Sequence, residues 1–349
     1  MKDGEGDILE KGELFLERPA AVYICDDNYV WITCVSMVSL LEHNKGMKVY
    51  VLGSHICPKN KRLLAQIADA HCGVCKVLDL PEGFCTNQLK NQRWPVFTLA
   101  RLFLGDLMPP QMSRVLYLDS DTLITGSVAP LWTFEMGEML YYGVKDCVSG
   151  WYKRNIGLPK NALYLNGGVL LANLEALRRE SIKSEINSFF EKYGRALSYF
   201  DQDILNAVFR GKIGVLPPEY NVMSSMLDID YDELQILRQP LLYYSRQEIR
   251  RAIQQPRIVH FSRHILSTQP WERHSCNPYR EAFLHYAGMT PWKEQIPYQA
   301  ASPFKIILID AVRYSPSIVR KVLLATMGYW HAVWRPQLRY WKSLKYKRL

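Results

Sequence analysis

The sequence lacks an apolar run long enough to span a membrane. Its longest apolar stretch, residues 322–334, lies between Lys321 and Arg335 and is shorter than the ~20 residues that a membrane-spanning helix needs. Residues 1–17 are too charged to form a secretory signal. The eight cysteines of the 349-residue chain are not spaced like a small disulfide scaffold, which is typical of a reducing compartment. We therefore expect a cytoplasmic protein.

The end of the chain lacks acidic residues. Lysine and arginine together number 43, and aspartate and glutamate 34, which gives a net charge of +9. Residues 313–349 contain nine lysines and arginines and no acidic residue, so the charges of the preceding residues sum to zero. The sequence therefore predicts a neutral globular body that carries a basic tail.

This basic tail also has the periodicity of an amphipathic helix. Wound at 3.6 residues per turn, residues 316–335 place large apolar side chains on one side and basic ones on the other, and Pro336 ends or kinks the helix. We predict that the helix lies on an anionic membrane surface rather than on nucleic acid. Packing on the body, with the charges in water, is the alternative. The apolar side consists of Ile318, Val319, Val322, Leu323, Trp330, Val333 and Trp334.

Strands and helices alternate along the first part of the chain, without an internal repeat or a low-complexity segment. This order predicts a parallel sheet that is covered on both faces and binds ligands beyond the carboxyl ends of its strands. Strands are predicted at 20–25, 47–53, 74–80, 115–119, 162–174 and 257–261, and helices at 30–44, 58–70, 97–107, 175–193 and 201–209.

Two carboxylates, Asp119 and Asp121, directly follow the apolar residues 115–118. Such groups are costly to desolvate unless a cation lies between them, and their hard oxygens suit Mg²⁺ or Mn²⁺. Because the chain contains three further Asp-x-Asp triplets, the spacing alone is weak evidence, and a helix cap or a hydrated loop is the alternative. His260, at the end of a later strand, would complete a three-ligand set typical of Mn²⁺.

The same triplet also fits a different class of enzyme. Asp119, Asp121 and Thr122 match the D-x-D-x-T nucleophile loop of haloacid-dehalogenase-like phosphatases, for which Lys145 would be the downstream lysine. Those enzymes also need a late acidic pair at a strand end, which this sequence does not show. More than a hundred residues precede the triplet, whereas their loop usually begins the domain. A phosphatase is therefore a minor alternative.

Taken together, several segments resemble the retaining glycosyltransferases of family 8, which have the GT-A fold, and among them the bacterial lipopolysaccharide glucosyl- and galactosyltransferases. The resemblance covers about residues 20–271 and implies an α/β fold with a mixed, Rossmann-like sheet flanked by helices. Its segments are Asp26-Asp27-Asn28-Tyr29, Arg101 within FTLARLFLGD, Asp119-Ser120-Asp121, residues 164–170, residues 200–206 and Ile258-Val259-His260-Phe261.

The resemblance implies how a UDP-sugar would be bound. Asp119, Asp121 and His260 would hold Mn²⁺, with Mg²⁺ as a substitute, and the cation would bridge the diphosphate. The residues expected at the nucleotide are Asp26, Asn28, Tyr29 and Ser120. Those expected around the donor sugar are Arg101, Asn166, Gly167 and Asp201.

Gln202 and Asp201 are the predicted catalytic residues. As the bond between sugar and phosphate lengthens, the anomeric carbon becomes oxocarbenium-like and needs a nearby oxygen dipole. The amide of Gln202 supplies such a dipole but is a poor nucleophile. We therefore expect front-face attack by the acceptor hydroxyl, with retention of configuration and with a cation stabilising the departing diphosphate. Covalent attack by Asp201 is the alternative.

The chain departs from the family in the segments expected at the diphosphate and the acceptor. The family has Lys-Pro-Trp after its metal-binding histidine, whereas this chain has Gln269 in place of the lysine. We expect Gln269 or Arg263 to contact the diphosphate instead, with His264 and Arg273 as alternatives to Arg263. On the acceptor side residues 92–95 differ from the family, and Asp146 and Arg93 are the predicted acceptor contacts.

The sequence thus predicts an N-terminal extension (1–19), a GT-A catalytic domain (20–303) and a basic, aromatic, membrane-associating tail (304–349). The predicted activity is retaining transfer of glucose or galactose from a UDP-sugar to a saccharide or glycolipid acceptor, such as the lipopolysaccharide core. The enzyme would work in the cytoplasm, peripherally attached to the inner face of the membrane, without a nucleic-acid partner. A catalytically weakened UDP-sugar-binding protein is the remaining alternative.

Overall fold

The computed structural model describes residues 19–85, 95–294, 303–335 and 337–338. Within these ranges the chain forms ten strands, arranged in a seven-stranded and a three-stranded sheet. The strands are β1 (Ala20–Asp26), β2 (Lys48–Ser54), β3 (Val74–Asp79), β4 (Arg114–Leu118), β5 (Thr122–Ile124), β6 (Tyr141–Lys145), β7 (Leu165–Asn173), β8 (Ile213–Val215), β9 (Val222–Met223) and β10 (Ile258–His260).

Helices surround both sheets. Short 3₁₀ helices at Asp27–Tyr29, Val96–Phe103, Ala129–Trp132 and Pro218–Tyr220 connect several of the elements. The α-helices of the described residues are α1 (Val30–His43), α2 (Pro58–Ala70), α3 (Leu104–Leu107), α4 (Gly150–Asn155), α5 (Leu174–Arg178), α6 (Lys183–Tyr193), α7 (Phe200–Val208), α8 (Ser224–Asp228), α9 (Tyr231–Arg238), α10 (Arg246–Gln254), α11 (Arg280–Gly288), α12 (Pro303–Arg313) and α13 (Ser317–Tyr329).

The large sheet has the strand order β3-β2-β1-β4-β7-β6-β8. Strands β1 to β4 are parallel, as the alternation of strands and helices predicts. The predicted strand at 162–174 is present as β7, but it runs antiparallel to β4 and β6. The sheet is therefore mixed, as the resemblance implies, whereas the alternation of strands and helices predicts only its parallel part. Because β7 is antiparallel, its amino end lies beside the carboxyl end of β4, where Asp119 N–H donates to Gly168 O at 2.8 Å.

Strand β4 is buried on both faces. Val115 and Tyr117 belong to one hydrophobic cluster, and Leu116 and Leu118 belong to the other. Successive side chains of a strand point to opposite faces, so an unbroken apolar run is what a central strand needs. The carboxyl end of this strand therefore holds Asp119 in a partly buried position.

The small sheet joins residues that are distant in sequence. Strand β10 lies between β5, to which it is antiparallel, and β9, to which it is parallel. His260 pairs with Thr122 in this register, and Phe261 N–H donates to Asp121 O at 2.8 Å. The pairing of two short strands thus fixes His260 beside the acidic triplet.

Helix α1 is held against the acidic triplet by buried hydroxyl groups. Thr33 and Ser36, which are spaced by about one helical turn, bond to Ser120 at 2.7 Å and to Thr122 at 2.8 Å. The Thr122 hydroxyl also donates to Asp119 O at 2.8 Å. Hydroxyl groups on one face of α1 thus form hydrogen bonds with Ser120 and Thr122, the residues on either side of Asp121.

Two predicted helices differ in detail. Residues 97–107 form a 3₁₀ helix, Val96–Phe103, followed by α3. The predicted helix at 175–193 is divided into α5 and α6. The intervening residues 179–182 contain no glycine or proline, so the sequence carries none of the usual signals for this break.

The predicted tail helix is confirmed as α13, which continues into a π-helical turn at Trp330–Trp334. It packs on α9, where a Cβ added to Gly328 would lie 2.0 Å from Leu237 O and Arg320 Nε lies 2.6 Å from Glu233 Oε1. Within the described ranges, no helix has both the length and the apolar character required to cross a membrane.

The hydroxyl contacts between α1 and the acidic triplet predict a measurable stability effect. Thr122→Val keeps the shape of the side chain but leaves the buried hydroxyl of Ser36 and the carbonyl of Asp119 without this partner. We expect the free energy of unfolding to fall by about 1–3 kcal/mol, measured by urea denaturation. Thr133→Val is the control, since the hydroxyl of Thr133 donates to Pro130 O at an exposed site; an equal loss in both variants would contradict the account.

Candidate active site

Asp119, Asp121 and His260 converge where β4 and β10 end. Their ligand atoms all lie within 4.8 Å of one another. His260 Nε2 lies 3.4 Å from Asp121 Oδ1 and 3.8 Å from Asp119 Oδ2. Two carboxylate oxygens and one imidazole nitrogen at these distances can surround a divalent cation. The structure therefore brings the three predicted ligands together.

A buried asparagine orients the imidazole. Asn221 Oδ1 lies 3.1 Å from His260 Nδ1, so that ring nitrogen can donate while Nε2 faces the carboxylates. Asn221 Nδ2 in turn donates to Asn166 Oδ1 at 2.9 Å. Contacts of this kind fix the tautomer and the direction of a ligating histidine. Sequence analysis missed Asn221, because a single asparagine beside a two-residue strand carries no recognisable signal.

Gly168 leaves room for this cluster. A Cβ at residue 168 would lie 2.2 Å from His260 Cε1 and 2.9 Å from Asp119 Oδ2. Any side chain would therefore displace the imidazole or the carboxylate. The glycine at position 168 is therefore required by this close approach rather than by a turn.

Arg101 is buried between two carboxylates. Its Nη2 lies 3.0 Å from Asp119 Oδ1, and its Nε lies 2.7 Å from Asp201 Oδ2. Burial alone would lower the pKa of Arg101, but Asp119 and Asp201 raise it above its usual value. The guanidinium also lies 4.7 Å from the centre of the Tyr117 ring. One arginine thus links a metal-ligand candidate to a residue expected at the donor sugar.

Gln202 has its amide fixed on both sides. Its carbonyl oxygen accepts from Gly167 N–H at 2.9 Å and from Asn166 Nδ2 at 3.2 Å. Its Nε2 donates to Asp146 Oδ2 at 3.0 Å. The predicted catalytic amide, the predicted donor-sugar contacts and the predicted acceptor acid therefore form one hydrogen-bonded group.

The two acids that flank Gln202 lie in different surroundings. Burial raises the pKa of Asp201 to about 6, and Arg101 opposes that shift. Burial also raises the pKa of Asp203 to about 6, although hydrogen bonds from Tyr164 and Tyr152 lower it. The tyrosine hydroxyls lie 2.5 and 2.7 Å from the Asp203 oxygens. Asp203 therefore anchors the start of α7, whereas Asp201 faces Arg101.

The residues predicted at the nucleotide lie where β1 ends. Asp26 accepts from Tyr29 N–H at 3.1 Å and from Asn28 Nδ2 at 3.2 Å, and the Tyr29 ring is half exposed. The Ser120 hydroxyl is buried against Thr33. Tyr29 is therefore accessible to solvent, whereas the Ser120 hydroxyl is already hydrogen-bonded to Thr33.

The residues predicted at the diphosphate differ in burial, and one residue predicted at the acceptor lies outside the described ranges. Gln269 is fully buried, and within the described residues neither of its amide atoms has a hydrogen-bond partner. Arg263 is exposed. Arg93 belongs to residues 86–94, which lie outside the described ranges. The contacts predicted for these three residues stay predictions.

The surroundings of Asp203 predict a pH effect on stability. Its pKa of about 6, against 3.8 for an ordinary aspartate, means that the folded protein holds this proton more tightly than the unfolded chain. The Asp203 carboxyl therefore makes its full contribution to the free energy of unfolding below pH 4. This contribution decreases as the pH rises through 6. We expect the stability advantage of the wild type over Asp203→Asn to shrink by up to about 3 kcal/mol between pH 4 and pH 7.

Urea denaturation of both proteins across this pH range makes the measurement. Asp310→Asn, on the surface of α12, controls for the loss of an unburied carboxylate. A wild-type advantage that grows with pH would contradict the raised pKa of Asp203.

The sequence is similar to those of known proteins from one family. The sequence model of glycosyl transferase family 8 matches residues 21–275. General stress protein A of Bacillus subtilis is 23% identical over 277 residues, which cover 78% of this chain and 93% of that protein. The lipopolysaccharide 1,2-glucosyltransferase of Escherichia coli is 26% identical over 287 residues, which cover 79% of each chain.

The fold has a counterpart among crystal structures. It matches the galactosyltransferase LgtC in complex with donor and acceptor sugar analogs, with a TM-score of 0.64 and 26% identity, over 79% of this chain and 99% of that one. This match confirms the GT-A fold that the resemblance implies, and nothing in the comparisons favours a phosphatase. Because the family model spans most of the chain, the protein belongs to glycosyl transferase family 8 and is a glycosyltransferase.

Proposed function

We propose that this glycosyltransferase transfers glucose or galactose from a UDP-sugar to a saccharide or glycolipid acceptor, such as the lipopolysaccharide core, with retention and with a divalent cation. The observation that carries the proposal is the convergence of Asp119, Asp121 and His260 beside the Arg101–Asp201 pair. The relatives named above include a glucosyltransferase and a galactosyltransferase, which supports both sugars as candidates.

The ligand set suits Mn²⁺, with Mg²⁺ as a substitute. Mg²⁺ prefers an oxygen-only octahedral shell, whereas Mn²⁺ accepts an imidazole nitrogen together with carboxylates. When bound, such a cation supplies Lewis-acid stabilisation of the charge that develops on the departing diphosphate. Asn221 holds the His260 ring in the orientation that this role needs.

The nucleotide would bind at the end of β1. The half-exposed Tyr29 ring offers a stacking surface for uracil. Asp26, positioned by the Tyr29 N–H, offers carboxylate oxygens to hydroxyl or imide groups, and Asn28 adds an amide. The diphosphate would then extend toward the carboxylate cluster, where Ser120 contributes its backbone.

The pairing of Asp201 favours front-face attack over a covalent intermediate. Its carboxylate is bound to Arg101 at 2.7 Å, and an ion pair of this kind makes an oxygen a weaker nucleophile. Asp201, Asn166 and Gly167 would position the donor sugar, while Arg101 carries the balancing positive charge. The Gln202 amide, held by Gly167 and Asp146, would present its dipole to the anomeric carbon.

Gln269 and Arg263 are the proposed diphosphate contacts in place of the lysine of the family. A buried amide with no hydrogen-bond partner is costly, and a phosphate oxygen would satisfy the Gln269 Nε2 donor. Arg263 is exposed and would supply charge from the surface. On the acceptor side, Asp146 already accepts from Gln202 and Asn166, so it could orient an acceptor hydroxyl beside the reacting carbon.

The tail supports peripheral membrane association. Its predicted apolar side does not pack on the described body. Ile318 is 79% exposed, and Val322 60% exposed. Contiguous exposed apolar side chains mark an interaction surface, and the exposed Lys321 of the same helix suits anionic lipid. Because α13 docks on α9 through its opposite side, the tail can bind a membrane while it stays attached to the body.

The carboxylate and imidazole cluster predicts metal-dependent donor binding. Asp121→Asn removes one of the two ligating charges, so we expect UDP affinity in 1 mM Mn²⁺ to fall at least ~tenfold, measured by calorimetry, and transfer to fall with it. Asp69→Asn makes the same chemical change at an exposed position of α2 and should leave both unchanged.

A different result would identify the alternative. Mn²⁺-dependent binding of UDP-sugar with neither hydrolysis nor transfer across a panel of saccharides would indicate a weakened UDP-sugar-binding protein. Equal UDP affinity in Mn²⁺ and in chelator would contradict the metal site itself.

The exposed side of α13 predicts vesicle binding. Val322→Asp should lower the partition coefficient into vesicles of phosphatidylglycerol and phosphatidylcholine at least ~tenfold, since one buried aliphatic side chain contributes about 1.5–3 kcal/mol. The affinity for UDP should stay unchanged. Val74→Asp, at an exposed position of β3, is the control. Unaltered sedimentation of Val322→Asp would exclude this side of α13 as the contact.

A further inference from the structure

We propose that Trp151, Leu241 and Leu242, together called the α4 patch, form a second membrane-contacting surface next to the acceptor side of the active site. The inference rests on the membrane association proposed above and deepens it. It assigns the lipid bilayer to a part of the catalytic body that lies outside the basic tail and to which the family resemblance gives no role.

The α4 patch is a group of exposed apolar side chains rather than scattered ones. Trp151 is 48% exposed, Leu241 63% and Leu242 41%. A Cβ added to Gly150, the neighbour of Trp151, would lie 3.1 Å from Leu241 Cδ1. The start of α4 and the loop after α9 are therefore in contact, and their large apolar side chains are exposed together.

The charges around the patch suit an anionic surface. Lys160 Nζ lies 3.9 Å from the centre of the Trp151 ring, and Arg154 is exposed on α4. Residues 147–174 and 234–247, which contain the patch, include no acidic residue. Tryptophan beside lysine is the combination favoured at the headgroup level of a bilayer, whereas a protein partner would not require such uniform charge.

The patch is attached to the tail helices. Asn155 Nδ2, at the end of α4, donates to Ala332 O at 3.0 Å. Ala332 belongs to the π-helical turn whose Trp330 and Trp334 are half exposed. The loop that carries Leu241 follows α9, on which α13 packs. Both halves of the patch are thus fixed to the elements that expose the apolar side of the tail.

This placement connects the membrane to the acceptor. Helix α4 begins four residues after Asp146, the residue that binds Gln202 and is proposed to meet the acceptor. A bilayer in contact with the patch would lie on the acceptor side of the site. The acceptor class that fits is therefore a saccharide linked to a lipid, presented at the bilayer surface.

Leu241→Asp tests the inference in vesicle sedimentation. With vesicles of phosphatidylglycerol and phosphatidylcholine, we expect its partition coefficient to fall about tenfold relative to the wild type, with no change in UDP affinity. Lys160→Gln should weaken sedimentation with these vesicles but not with phosphatidylcholine alone. Val74→Asp is again the control, since β3 lies five strand spacings from β6, roughly 24 Å away across the sheet.

The outcomes separate this inference from the proposals beneath it. Unchanged sedimentation of Leu241→Asp, while Val322→Asp loses it, would overturn the α4 patch and leave the tail contact standing. Equal losses in Leu241→Asp and Val74→Asp would overturn it as well, since added negative charge alone would then explain the effect. If the wild-type protein does not sediment with vesicles but binds UDP in the presence of Mn²⁺, both membrane proposals are refuted and the transferase proposal stands.

Discussion

The site depends on how a cluster of partly buried negative charge is compensated. Asp119, Asp121, Asp146 and Asp201 lie at the ends of β4 and β6 and at the start of α7. Asp201 is buried and the other three are partly exposed, and neighbouring carboxylates repel one another. Arg101 lies between Asp119 and Asp201 and compensates part of this charge. A cation between Asp119, Asp121 and His260 would compensate much of the remainder, so the mutual repulsion of these carboxylates favours cation binding.

The scaffold is arranged to hold these charges in place. A central strand buried on both faces holds Asp119 in a partly buried position, and the pairing of β5 with β10 brings His260 beside Asp121. The hydroxyl contacts of α1 fix the intervening residue, and Gly168 admits the imidazole. The positions of all three ligands therefore follow from backbone pairing, which makes the site rigid before any ligand arrives.

Much of this arrangement could be predicted from the sequence, and the reasons for the exceptions are physical. The strand ends and α13 are local patterns of apolar periodicity and charge, and the structure contains them. The structure also brings Asp119, Asp121 and His260 together, but their joint role as ligands is implied by the family resemblance rather than by a local pattern. The antiparallel direction of β7, the orienting Asn221 and the link from Arg101 to both Asp119 and Asp201 depend on contacts between distant segments. The exposed side of α13 shows the same limit, because periodicity identifies an apolar face but not what covers it.

The central claim is that one divalent cation is held by Asp119, Asp121 and His260 and ties UDP to the protein. Its most direct test is an anomalous difference map at the manganese absorption edge, from crystals grown with MnCl₂ and UDP. The account predicts a single strong peak about 2.0–2.4 Å from the ligand atoms of these three residues and in contact with the diphosphate. Bound UDP without a peak there, or a peak at other side chains, would contradict it.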